Sequence, residues 1–92
     1  MSGGHFDYNQ HKIGEIADMI ERQIADNEYS EHKFYPKTIM RFIDGVKALR
    51  IAEVYAQRID WLLSGDDGED TFHDRLKADL REIEFYFSEI GL

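Results

Sequence analysis

The 92-residue chain contains no cysteine and only one proline. The absence of cysteine excludes disulfide bridges and thiolate metal sites, which are common ways of stabilising a small domain. No run of apolar residues approaches the ~18 that a membrane-spanning helix needs, so we expect no membrane association. The first residues, Met1 to Gly4, have neither a basic start nor an apolar run, and the sequence therefore predicts a cytoplasmic protein.

Basic residues are scarce relative to acidic ones. Nineteen acidic and eleven basic side chains give a formal net charge of -8. The net charge is -4 over residues 1–35, +2 over residues 36–63 and -6 over residues 64–92. Binding to nucleic acid is disfavoured, because neutralising phosphates requires a clustered basic face. The charge pattern is explained either by pairing within the chain or by an acidic surface that attracts a basic partner.

Motifs for catalysis are also missing from the sequence. None of the serines lies in a Gly-x-Ser-x-Gly turn, and no glycine-rich phosphate loop is present. The four histidines show neither the i, i+4 pairing nor the HExxH element of a zinc site. We therefore expect no enzyme activity, no cofactor and no metal site.

Three segments show the apolar spacing of amphipathic helices, at about 8–27, 36–63 and 71–90. Asp7 with Gln10 predicts a capping box at the start of the first helix, and Thr71 with Asp74 predicts one at the start of the third. Pro36 and Gly65 bound the second, since proline suits a first helical turn and glycine a left-handed cap.

The predicted fold is an all-α domain spanning residues 1–92, with residues 1–5 as a flexible lead-in. It is a three-helix antiparallel bundle around the long central helix at about 36–63. One stripe of this helix has the seven-residue repeat of a coiled coil and includes small residues that allow close approach. Its members are Gly45, Leu49, Ala52, Ala56, Ile59 and Leu63.

The second half of the long helix carries more apolar side chains than two flanking helices are expected to cover. Val54 and Trp61 are the clearest examples. A helix that is apolar nearly all round is usually covered on more than one side. The sequence therefore predicts a homodimer, with a self-sufficient monomer as the alternative.

The acidic segment 66–70 follows the long helix directly. No register of an EF-hand loop fits it, whereas acidic residues before a helix stabilise the positive end of its dipole. The same acids are unfavourable after the negative end of the preceding helix, which suggests a further role for them. Both a capping turn and a cation site remain open.

Two passages resemble a group of small bacterial and phage or prophage proteins that have no assigned activity. They are MSGGHFDY, at residues 1–8, and RIDWLLSGDDGEDTF, at residues 58–72. The resemblance implies an accessory or host-interaction role in a mobile element and supplies no catalytic residues. It also implies that His5, Phe6, Tyr8, Trp61 and the acidic segment form one patch.

The leading hypothesis is a non-enzymatic protein–protein interaction module that uses an acidic and aromatic surface to bind another protein. The residues predicted to carry it are Val54, Trp61, Asp66, Asp67, Glu69, Asp70 and Phe85. The alternative is a small-molecule or metal-ion binder, or a minimal enzyme, with a site between subunits near Trp61 and the acidic segment. A third hypothesis is an acidic surface that imitates DNA.

Overall fold

The computed structural model describes residues 6–89. These residues form three α-helices, α1 (Gln10–Asp26), α2 (Pro36–Leu63) and α3 (Glu69–Glu89), with a 3₁₀ turn at Asn27–Tyr29 after α1. No strand occurs among them, which confirms the all-α prediction. The predicted lead-in 1–5 and Ile90, the predicted last residue of the third helix, lie outside the described residues.

The capping box predicted at the start of α1 is wrong. Asn9 occupies the N-cap position without a side-chain hydrogen bond, and Asp7 and Tyr8 have φ values of 53° and 63°. Gln10 is instead a buried residue, whose side-chain amide donates to Gln57 of α2 at 3.1 Å. Gln10 therefore bonds to Gln57 rather than to the backbone at the start of its own helix. As a result, α1 begins two residues later than predicted.

A glycine turn ends α2 and reverses the chain. Gly65 has a φ of 83°, as the sequence predicted for a left-handed cap. Its N–H donates to the carbonyl of Leu62 at 3.2 Å, and the N–H of Asp66 donates to the carbonyl of Trp61 at 2.9 Å. This pair of bonds is the Schellman motif, which satisfies the last carbonyls of a helix.

The predicted capping pair of Thr71 and Asp74 is not what starts α3. The helix begins at Glu69, two residues earlier than predicted, and its start is organised by Asp67. Asp67 Oδ1 accepts hydrogen bonds from the N–H of Gly68, at 3.1 Å, and from the hydroxyl of Thr71. The Thr71 hydroxyl thus donates to Asp67 in the preceding turn and does not cap the N–H groups of the following helical residues.

The three helices lie side by side in one layer with α2 in the middle. Both outer helices pack on α2, whereas within residues 6–89 no Cα of α1 comes within 8 Å of a Cα of α3. The molecule measures 49 × 27 × 13 Å, so it is much thinner in one direction than in the other two. The buried apolar core of the described residues is correspondingly small and consists of Ala17, Val46 and Phe87.

Candidate functional site

The separation of α1 from α3 leaves a groove over one side of α2. The groove has a volume of about 540 Å³, and Val54, Ile83 and Phe87 supply its apolar floor. Four carboxylates line its walls: Glu21, Glu53, Asp79 and Glu82. We call this feature the acidic groove.

Arg50 ties one wall of the acidic groove together. Its guanidinium lies 2.6 Å from Asp18 Oδ1 and 2.7 Å from Glu21 Oε1 on α1, and 3.6 Å from Glu53 Oε1 on α2. The hydrogen bond to Asp18 raises the pKa of Arg50, with burial opposing it and Glu21 adding to it. One guanidinium therefore faces three carboxylates, and this wall keeps a net negative charge.

The acidic groove continues into a smaller apolar hollow of about 220 Å³. Glu21, Tyr86 and Phe87 line both spaces, and the hollow is otherwise bounded by apolar side chains of α1 and α2. These are Ile24, Ala25, Ile43 and Val46. Together the two spaces form one channel along α2 that is apolar at its base.

Two of the predicted interaction residues, Val54 and Trp61, lie on this side of α2. They are seven residues apart and so share one helix face. Trp61 is 38% exposed, and the Arg58 guanidinium carbon lies 4.9 Å from the centre of its ring. Arg58 Nε also donates to Asp79 Oδ2 at 2.7 Å. A contact chain therefore links Trp61 to the wall of the acidic groove.

Phe85, another predicted interaction residue, is placed away from the acidic groove. It is 68% exposed and stands two positions before the buried Phe87, which puts it on the opposite side of α3. The neighbouring Tyr86, which is 53% exposed, lines the groove instead. Phe85 therefore does not belong to the same surface as Val54.

The acidic segment 66–70 divides into one internal residue and three external ones. The Asp67 side chain is only 2% exposed and is also within 3.4 Å of Arg75. Asp66, Glu69 and Asp70 are exposed. No group of three His, Cys, Asp or Glu residues among the described residues is arranged to hold a metal ion. The contacts of Asp67 are those of a helix-capping turn.

The structure places one member of the patch implied by the resemblance, Phe6, near the end of α2. The N–H of Phe6 donates to Asp60 Oδ1 at 2.9 Å, so the segment before α1 lies beside the last turn of α2. Trp61 is the next residue along α2, and the acidic segment follows after the glycine turn. His5 lies outside the described residues. Within residues 6–89, no helix is both long enough and apolar enough to cross a membrane.

Sequence reasoning missed the groove walls. Glu21 and Glu82 sit on polar helix faces that the sequence alone does not distinguish from solvated surface. The available signal was a short polar sector, including Arg50 and Glu53, on a helix that is otherwise apolar in that half. Such a sector indicates that a neighbouring element supplies charge partners.

No protein-family model matches the chain, and no curated protein or solved structure is significantly similar to it. The resemblance to phage and prophage proteins therefore stays a prediction.

Proposed function

We propose that the protein is a non-enzymatic interaction module, a homodimer of three-helix antiparallel bundles, that binds a basic amphipathic helix of another protein. The binding site is the acidic groove. The observation that carries this proposal is the combination of an apolar floor, at Val54, Ile83 and Phe87, with carboxylates on both walls.

The shape of the channel supports a helical ligand. From Ile43 to Val54 it follows eleven residues of α2, which corresponds to roughly 16 Å or three helical turns. A helix laid over α2 between α1 and α3 buries apolar side chains spaced at i, i+3, i+4 and i+7, the usual pattern of helix-in-groove recognition. Such a ligand also adds a second layer over the small core of the single-layer fold.

The charge of the walls supports a basic ligand rather than an acidic one. Glu21 and Glu53 share Arg50, and Asp79 is paired with Arg58, whereas Glu82 on the opposite wall is exposed. Lysine or arginine residues that flank the apolar stripe of the ligand lie against these carboxylates. Charge complementarity of this kind speeds association and selects the partner more than it increases affinity. An accessory role in a mobile element, as the resemblance implies, is compatible with such a module.

A model peptide tests the groove directly. The probe is a fluorescent peptide of leucine and lysine, with leucines at helical spacing, and its control replaces every lysine by glutamate. We expect the lysine peptide to bind in an anisotropy titration, more weakly as salt increases, and the glutamate peptide not to bind.

Matched charge reversals then locate the site. Glu82→Lys, on the groove wall, is expected to weaken binding about tenfold, the effect of roughly 1.4 kcal/mol. Glu31→Lys makes the same charge change at an exposed residue that lines neither the groove nor the adjoining hollow, and it is the control. Asp70→Lys makes the same charge reversal in the acidic segment. If only Asp70→Lys weakens binding, the ligand lies at the turn and the groove proposal is wrong; equal binding of the two peptides also contradicts it.

A further inference from the structure

The side of α2 that faces away from the acidic groove is also uncovered. Ala52 and Val54 are two residues apart, or about 200° around the helix, so Ala52 lies opposite the groove floor. Ala52 is exposed and Leu63 is 55% exposed. A Cβ added at Gly45 meets no atom within 4 Å. The stripe defined from the sequence, Gly45 to Leu63, is therefore open at these three positions, whereas Leu49 packs partly against the core; we call it the back stripe.

Apolar surface extends from the back stripe onto α1. Ile13 of α1 and Ala56 of α2 line the same hollow, of about 350 Å³. Ile16, one turn further along α1, is 47% exposed. The back of the layer is thus apolar across two helices, in contrast to the acidic groove on the front.

The surface area of the chain is larger than that of a compact monomer. Its accessible surface is 6833 Å², against about 5,500 Å² for a compact protein of 10.8 kDa. The difference of roughly 1,300 Å² exceeds the ~800 Å² that each partner buries in a standard stable interface. The radius of gyration, 15.8 Å, is likewise above the ~12 Å expected for this length. A second copy packed on one face of the chain buries an area of this order.

We propose that two copies of this chain associate back to back, with their α2 helices antiparallel and crossing at Ala52. This inference rests on the homodimer of the proposed function and names its interface. In this register Gly45 is level with Ile59 of the partner subunit, and Leu49 lies within one residue of being level with Ala56 of the partner subunit. Alternating large and small residues give close packing between helices.

Charge complementarity selects the antiparallel orientation. Lys37 and Arg41 at the start of α2 are exposed, and the acidic segment follows the end of α2. A two-fold axis at Ala52 places Lys37 level with the acidic segment of the partner subunit. A parallel pair places the two acidic segments together instead, and like charges repel. The pairing accounts for acidic residues beyond the negative end of a helix, where they are otherwise unfavourable.

Sedimentation velocity tests the interface with a matched pair of variants. Wild-type protein at micromolar concentration is expected to sediment at twice its 10.8 kDa mass. Ala52→Glu buries an unpaired charge in the proposed interface and is expected to weaken dimerisation by more than about a hundredfold. Ala78→Glu adds the same charge at an exposed position of α3 and is expected to leave the dimer intact. A monomeric wild type, or an Ala52→Glu dimer as tight as wild type, overturns the proposal.

Cysteine cross-linking tests the orientation, because the chain has no cysteine of its own. Ala52→Cys is expected to form a disulfide-linked dimer on mild oxidation, as is a mixture of Gly45→Cys and Ile59→Cys chains. Gly45→Cys alone is expected not to cross-link. Efficient cross-linking of Gly45→Cys alone indicates a parallel pair and overturns the antiparallel assignment.

Failure of the dimer and failure of the groove are distinguishable. Circular dichroism first checks that Ala52→Glu keeps its helices. A helical Ala52→Glu monomer that still binds the leucine–lysine peptide locates dimerisation at the back stripe and peptide binding elsewhere. Loss of peptide binding in this monomer overturns the assignment of the two functions to opposite faces.

Discussion

The carboxylate of Asp60 accepts a hydrogen bond from the backbone N–H of Phe6 at 2.9 Å, across fifty-four positions of sequence. Its other oxygen accepts one from the side-chain amide of Gln10 at 3.3 Å. Asp60 is only 3% exposed and Gln10 only 2% exposed. A buried polar cluster therefore fixes the segment before α1 against the last turns of α2, in a molecule with very little apolar core.

Replacement of Asp60 is expected to destabilise the protein more than replacement of an exposed acidic residue. Asp60→Ala leaves the half-buried N–H of Phe6 and the buried amide of Gln10 without this acceptor, and we expect a loss of about 1–3 kcal/mol in urea unfolding. Asp60→Asn keeps an acceptor oxygen and is expected to lose less. Asp44→Ala, at a side chain that is 65% exposed, is the control. Equal stability of the Asp60→Ala and Asp44→Ala proteins contradicts the structural role assigned to this carboxylate.

Asp67 is expected to stabilise the start of α3 without binding a cation. Because it accepts from the N–H of Gly68 and the hydroxyl of Thr71, Asp67→Ala should cost about 1 kcal/mol, as for other helix-capping residues. Asp66→Ala, an exposed neighbour, should change stability by less than about 0.5 kcal/mol. Calcium should not raise the melting temperature of the wild type. A rise that Asp67→Ala abolishes identifies the turn as a cation site instead.

The two glycines of the turn between α2 and α3 are expected to differ in their tolerance of a side chain. Gly65→Ala forces a Cβ into a left-handed conformation, with a φ of 83°, and should cost about 1–2 kcal/mol. At Gly68 an added Cβ meets only the Thr71 hydroxyl, at 3.9 Å, so Gly68→Ala should cost much less. Thermal melts of both variants measure the difference. A loss at Gly68 equal to that at Gly65 shows that backbone conformation is not the cause.

The sequence predicts α2 well because its ends depend on local chemistry. Pro36 and Gly65 act on the backbone of their own turns, and the helix spans Pro36–Leu63, the range expected. The starts of α1 and α3 were predicted less well because each local capping residue has a competitor. Gln10 bonds across to α2, and Thr71 bonds back to Asp67.

The acidic groove could not be predicted in the same way. Helical periodicity tells which residues share a face of one helix, but not how far apart two outer helices lie around a third. Val54 can be identified from the sequence because its half of α2 carries more apolar side chains than two flanking helices are expected to cover. The sequence around Glu82 shows no comparable departure from an ordinary amphipathic helix. Glu82 becomes part of a site only because it lines the same groove as Glu21.

Arg50 is expected to be the most important charged residue for holding α1 against α2. Its side chain is 26% exposed and contacts both Asp18 and Glu21, although Asp18 is 56% exposed and its contribution is reduced by solvent screening. Arg50→Met should therefore cost about 1–2 kcal/mol in urea unfolding. Arg41→Met is the matched control, because Arg41 pairs only with Asp44 among the described residues and is 85% exposed.

The effect of Arg50→Met should not change between pH 6 and pH 9, a range of about three units that lies far below the ordinary pKa of arginine. The hydrogen bond to Asp18 raises the pKa of Arg50 in the folded state above its ordinary value. A raised pKa stabilises the fold at every pH below the unfolded-state pKa, and the contribution is lost only as the pH rises through the folded-state value. Arg50→Lys, whose ammonium group titrates near pH ~10.4, should instead lose stability as the pH approaches 10. Unfolding curves of wild type, Arg50→Met and Arg50→Lys from pH 6 to about pH 10 measure both effects. A difference between wild type and Arg50→Met that disappears by pH 9 contradicts the assignment of the stabilisation to the charged guanidinium.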